Sequence, residues 1–190
     1  MRYSRRGYSL AHIWGIMILC FLVYIATRID SDLLYLLGLQ PATFLARPWT
    51  IFTNLFTHAG LWHILANMFT LYFFGSFLTS LIGGRRFLII YFLGGIAGNI
   101  FCLFLSSPFS VVVGASGAIF ALGGVLSVLT PGLRVIVFPI PIPVPLWLAV
   151  IGGFLVMSFL PYVSWQGHLG GLLCGLIAGF ILRNRVRRFL

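Results

Sequence analysis

The chain has 190 residues, of which 61% are hydrophobic and 7% charged, and its net charge is +10. A soluble domain carries about 25% charged residues, so this composition excludes a soluble globular fold: the solvent of such a surface is lipid. All twelve basic residues are arginine and the only acids are Asp30 and Asp32. The arginines are dispersed and form no single basic patch, which argues against nucleic acid as a partner. They read as topology signals and as contacts with anionic lipid headgroups. Cys20, Cys102 and Cys174 all fall inside apolar runs without zinc-type spacing, and read as small buried hydrophobes.

In chain order, the basic stretch Met1 to Gly7 resembles a signal-peptide n-region. The apolar run after it lacks a small-residue cleavage site, which predicts a retained first span at about 9–27. Residues 28–60 form the longest connection and carry Trp49, Phe52 and Phe56 among polar residues, the pattern of a loop resting in the membrane interface. A second span is expected at about 61–82. The intervals Phe87–Leu133 and Val135–Leu182 contain no charge, and each has room for two spans of about 20 residues and a turn. Their turns are Ser106-Ser107-Pro108 and Pro161 to Gln166, which gives spans at about 87–105, 115–130, 145–160 and 167–182. Between the fourth and fifth, Pro139, Pro141, Pro143 and Pro145 forbid helix and predict an extended connector.

Ten of the twelve arginines then share one side: Arg2, Arg5 and Arg6; Arg85 and Arg86; Arg134; and Arg183, Arg185, Arg187 and Arg188. Arg28 and Arg47 lie on the other side with both acids. The positive-inside rule predicts a single domain over residues 1–190, an all-α six-helix bundle with both termini in the cytoplasm. It would be a multi-pass protein of a cell's cytoplasmic membrane, of prokaryotic type.

Polar groups at membrane depth are costly and mark function. His58, His63 and Asn67 lie at the start of the second span, Ser116 at the start of the fourth and His168 at the start of the sixth. Even-numbered spans start on the outer side, so three helices bring polar residues to one level. His63 and Asn67 are four residues apart and share a helix face; taken alone, they read first as glue between helices. Ser116 sits in Gly114-Ala115-Ser116-Gly117, where glycines allow a sharp turn that exposes the hydroxyl. Taken alone, that motif is weak. Gly117, Ala121 and Gly124 make one small helix face, and Gly171, Gly175 and Gly179 another. Packing the two brings His168, three residues before Gly171, towards Ser116. Phe120, one turn below Ser116, would then pack against the imidazole. With both acids at the end of the first span, a Ser–His dyad is expected rather than a triad. The same absence argues against an aspartyl protease, and the lack of H-E-x-x-H against a zinc protease. No metal or other cofactor is called for.

These residues resemble the rhomboid family of intramembrane serine proteases. The matching elements are Pro48-Trp49-Thr50 with Phe52-Thr53, His58, His63-x-x-x-Asn67-Met68, Gly114-Ala115-Ser116-Gly117-Ala118-Ile119-Phe120 and His168-x-x-Gly171-x-x-x-Gly175. They follow the family's order between residues 48 and 175. Two positions depart from common family usage: Thr50, where some members have arginine, and Gly167, where alanine is common. The resemblance implies a six-helix fold, with Ser116 as nucleophile and His168 as general base. It implies an oxyanion hole of His63, Asn67 and the Ser116 backbone N–H. It also implies that the fifth span and Pro161–Gln166 gate entry, and that the substrates are transmembrane segments of single-span or polytopic proteins, cut near the outer face. Two other readings compete. One is an inactive family member that binds membrane clients. The other is a small transporter with His63, Asn67 and Asn99 as a polar path, which is disfavoured because transporter sites lie at the midplane between repeats.

Overall fold

The computed structural model describes residues 9–137, 141–161 and 163–186. Arg2, Arg5, Arg6, Pro139, Arg187 and Arg188 lie outside these residues, as does the side chain of Arg185. The described chain is an all-helical membrane protein with one two-residue ribbon. Its helices are α1 (Ala11–Ile29), α2 (Asp32–Leu37), α3 (Thr50–Thr53), α4 (Leu61–Ile82), α5 (Gly84–Leu105), α6 (Ser116–Leu129), α7 (Leu146–Ser158) and α8 (Trp165–Val186).

Four of these helices, α1, α4, α5 and α8, are long and apolar enough to cross a membrane. The other two apolar helices, α6 with 14 residues and α7 with 13, are shorter. At 1.5 Å per residue they span about 21 and 20 Å, against about 30 Å of hydrocarbon. The expected fourth and fifth crossings thus rest on helices shorter than the hydrocarbon is thick. Residues 106–115 run irregularly before Ser116.

Several boundaries differ from those read in the sequence. Arg85 and Arg86 stand in the first turn of α5, not in a connection before it. Gly83 at φ +83° makes a one-residue corner after α4, a conformation that glycine adopts without the Cβ clash, so the helix restarts at once. Helix α8 begins at Trp165 and runs to Val186, beyond the expected 167–182. The described ends of the proline-rich connector pair: Arg134 faces Pro145 and Val135 faces Val144 in an antiparallel ribbon.

The connection after α1 is more ordered than an interfacial loop. It holds α2, α3 and two 3-10 turns, Pro41–Thr43 and Asn54–Phe56. The last carbonyls of α2 find no partner in so short a helix, and three later side chains supply them. Arg47 Nη1 donates to Tyr35 O at 2.9 Å, Trp49 Nε1 to Leu36 O at 3.1 Å and Thr53 Oγ1 to Leu37 O at 2.7 Å. Trp49 and Phe52 remain half exposed, as an interfacial position would leave them.

Helix α6 is the hub. Ala118, Ala121, Leu122, Val125 and Leu126 are buried, and the helix packs most extensively on α8, then α5, α7 and α4. The α6–α8 seam is the pair of small faces predicted above. A Cβ on Gly171 would overlap the main chain of Gly117, and one on Gly175 that of Ala121. Two backbones approach this closely only where side chains are absent.

Candidate active site

The close α6–α8 seam decides where the first residues of each helix meet. His168 Nε2 lies 2.8 Å from Ser116 Oγ. With a neutral imidazole the hydroxyl donates to Nε2, and the remaining ring proton is on Nδ1. Nδ1 is buried and meets no acceptor among the described residues. His168 is 4% exposed, so this one hydrogen bond and its packing hold its ring. The packing partner is Phe120, stacked on the imidazole with centroids 4.6 Å apart and planes inclined by 33°. Phe120 also meets Phe154 of α7 edge-on at 6.1 Å. His168 is thus linked, through the ring of Phe120, to the helix expected to gate the site.

Ser116 is the first residue of α6, where the backbone N–H groups have no partner inside the helix. They and the positive end of the helix dipole favour developing negative charge. The turn before it needs Gly114, whose φ is +122°. A Cβ there would also meet His63 Nε2 at 2.7 Å and Ser116 Oγ at 3.8 Å. Gly114 therefore serves both conformation and space, and His63 reaches the turn beside the hydroxyl.

Asn67 is buried on α4 and donates Nδ2 to the His63 carbonyl at 2.8 Å. That bond uses one of its two N–H groups. Asn67, Ser116 and Phe120 line one cavity of about 560 Å³ between α4, α6 and α7. Apart from Thr70 its walls are otherwise apolar: Phe69, Phe73, Phe74, Val150 and Met157 among them. A wider apolar groove of about 820 Å³ between α1 and α4 is lined by no ionisable side chain except Tyr72. His168, His63, Gly114 and Phe120 thus lie around the Ser116 hydroxyl or the ring it contacts, Asn67 lines the same cavity, and Gly117, Gly171 and Gly175 form the seam beneath.

Two features were not legible beforehand. His58, read as a polar group near His63 and as one of the matching elements but given no role, is fully buried in the loop before α4. Its ring lies edge-on to His63 at 5.1 Å, and Nδ1 lies 3.3 Å from the Phe56 carbonyl. Burial, aided by His63, pushes its pKa down to about 4, against the opposing pull of the Phe56 carbonyl. The second is an amide pair, Asn54 with Asn99, behind the serine turn. The sequence signal for it was one polar residue inside α5, read there as part of a transport path.

A profile of the rhomboid domain matches residues 45–185, a stretch that includes the whole site. The chain is 36% identical over 141 residues to RHOMBOID-like protein 1 of Arabidopsis thaliana, covering 72% of this chain and 35% of that protein. It is 28% identical over 158 residues to Rhomboid protein 1, mitochondrial, of Saccharomyces cerevisiae, covering 73% and 43%. With the rhomboid protein YdcA of Bacillus subtilis it shares 31% over 148 residues, covering 74% and 71%. The chain spans less than half the length of the plant and yeast relatives. A domain match over most of the chain, on a helical membrane fold that gathers the matched polar residues at one hydroxyl, places this protein in the rhomboid family.

Proposed function

We propose that this protein is an intramembrane serine endopeptidase that cleaves transmembrane segments of other membrane proteins near the outer face of the bilayer. The observation that carries the reading is the 2.8 Å contact between His168 Nε2 and Ser116 Oγ, within hydrogen-bond reach of a nucleophile and its base. In this mechanism His168 takes the hydroxyl proton as Oγ attacks the scissile carbonyl carbon. The oxyanion is held by the Ser116 backbone N–H, the free N–H of Asn67 and the His63 ring. The tetrahedral intermediate collapses, the C–N bond breaks, and His168 returns the proton to the departing amine. Water, deprotonated by the same imidazole, then hydrolyses the acyl-enzyme. The apolar cavity beside Ser116 suits an unwound apolar segment, and a side approach between α4 and α7 would admit it.

The same reading carries the single domain, the six crossings and the cytoplasmic termini, with the prokaryotic cytoplasmic membrane as its place. Arg134 between α6 and α7 and Arg183 near the end of α8 support this orientation, with Arg28 and Asp30 at the opposite end of α1.

A fluorophosphonate probe tests the chemistry, since it phosphonylates only an activated serine. Wild-type protein in detergent micelles should label stoichiometrically and cleave a single-span substrate. Ser116→Ala should do neither while unfolding at the wild-type temperature, and His168→Ala should label far more slowly. A folded wild-type protein that neither labels nor cleaves would leave a client-binding member of the family instead.

A further inference from the structure

The serine turn is held from behind by groups outside the reacting set. Asn54, in the connection after α1, and Asn99, in the middle of α5, face each other with side chains 1% and 4% exposed. Each Nδ2 donates to the other's Oδ1 at 2.8 Å, a closed two-bond ring. The second N–H of Asn99 donates to the Ile51 carbonyl at 2.7 Å. The main-chain carbonyl of Asn54 in turn accepts the Gly114 N–H at 2.9 Å. Gly114 is the positive-φ residue two positions before Ser116. One uninterrupted path of hydrogen bonds therefore runs from the core of α5 through the outer connection to the nucleophile turn.

Other contacts seat the same connection on the same partners. Leu39 and Val112 exchange both backbone bonds, at 2.9 and 2.7 Å, and Ala42 N–H donates to Pro108 O at 2.9 Å. Leu55 fills the notch above Gly95 on α5. The Asn pair differs from these in one respect: it is the contact whose own main chain ends on Gly114. A glycine has no side chain with which to hold an unusual φ, so its conformation must be imposed by its bonds.

We propose that Asn54 and Asn99 act as one unit that positions Ser116, by fixing the Gly114 turn from the α5 side; the inference rests on the protease reading above. They touch neither substrate nor the reacting atoms, so they are positioning residues. An amide is required at 99 because it must donate twice and accept once, which neither a carboxylate nor a hydroxyl can do.

The test is a double-mutant cycle of Asn54→Ala and Asn99→Ala in the full chain, read by fluorophosphonate labelling rate per folded molecule and by kcat and KM on a single-span substrate. Because a misplacement of about 1 Å can cost up to about a hundredfold, each single variant should slow labelling and kcat by about tenfold or more, with KM within about twofold. The double variant should be no slower than the worse single one, since either change opens the same ring. Asn99→Asp should resemble Asn99→Ala despite its near-identical shape. Should an alanine variant fail to fold, Asn54→Ser and Asn99→Ser take its place in the cycle. Labelling at the wild-type rate in the single variants, or losses that multiply in the double one, would overturn the positioning unit and leave the protease reading intact. Absence of labelling in the wild type would overturn both.

Discussion

His58 shows how burial holds a polar residue neutral. It is buried against His63 and has lost its solvent. With a folded pKa of about 4 and an unfolded value of about 6.5, the unfolded chain binds more protons between those values. Stability therefore stays at its full value above about pH 6.5 and falls as the pH drops towards 4. His58→Asn removes the titration but keeps a donor where Nδ1 stands. Thermal unfolding of both proteins in micelles from about pH 4.5 to 8 should show the wild type losing stability in acid faster than the variant. Parallel curves would mean that His58 is protonated as readily in the folded protein as in the unfolded one. The same desolvation that makes such a residue expensive makes it informative, because a buried imidazole whose Nε2 has no partner among the described residues persists only where its neighbours leave it no alternative.

Between elements, the α6–α8 seam sets both stability and the distance from His168 to Ser116. Gly171→Ala adds one methyl group, and that methyl has no space, since it falls on the Gly117 main chain. Overpacking in a core costs about 1–3 kcal/mol, and backbone cannot rotate away as a side chain can. The variant should unfold at a lower temperature, and its labelling by fluorophosphonate should slow because His168 moves with α8. Gly152→Ala on α7 is the control: nothing lies within 4 Å of a Cβ there. It should leave labelling unchanged and add up to about 1 kcal/mol through helix propensity. Equal effects of the two changes would show that helix propensity, and not the close approach, governs these glycines. The α7 helix contrasts with α6 in this respect: among its residues only Leu146 and Val150 are buried. Few contacts hold it, which suits the gating role proposed for it.

For the molecule as a whole, the proposed hydrolysis within a bilayer would require that water reach Ser116 from one face. Residues 106–115 are irregular, and irregular backbone persists at membrane depth only where protein covers it or where it lines a wet cavity. Here the connection after α1 covers it, through the Leu39–Val112 pair and the Asn54–Gly114 bond. In cells or oriented vesicles, Ser116→Cys with Cys20, Cys102 and Cys174 replaced should react with a small water-soluble thiol reagent added outside. Reaction only from the cytoplasmic side would overturn the proposed orientation and the entry of water together.

What could be read from the residues alone was whatever depends on composition and period. Low charge and high hydropathy specify a membrane protein. Charge-free intervals bracket the helices to within a few residues, and α4 matches its expected bounds. The spacing of Gly117 and Ala121 against Gly171 and Gly175 foretold the seam, because small residues at helical period have one physical use at a crossing. Folding alone supplied the relations between segments distant in the chain. The two-residue ribbon, the carbonyls of α2 capped by Arg47, Trp49 and Thr53, and the ring of Asn54 with Asn99 all join partners whose pairing leaves no periodic trace. A hydrogen bond needs one donor and one acceptor at about 3 Å, and which polar residue will stand there is decided by how the helices cross, not by its neighbours in the chain.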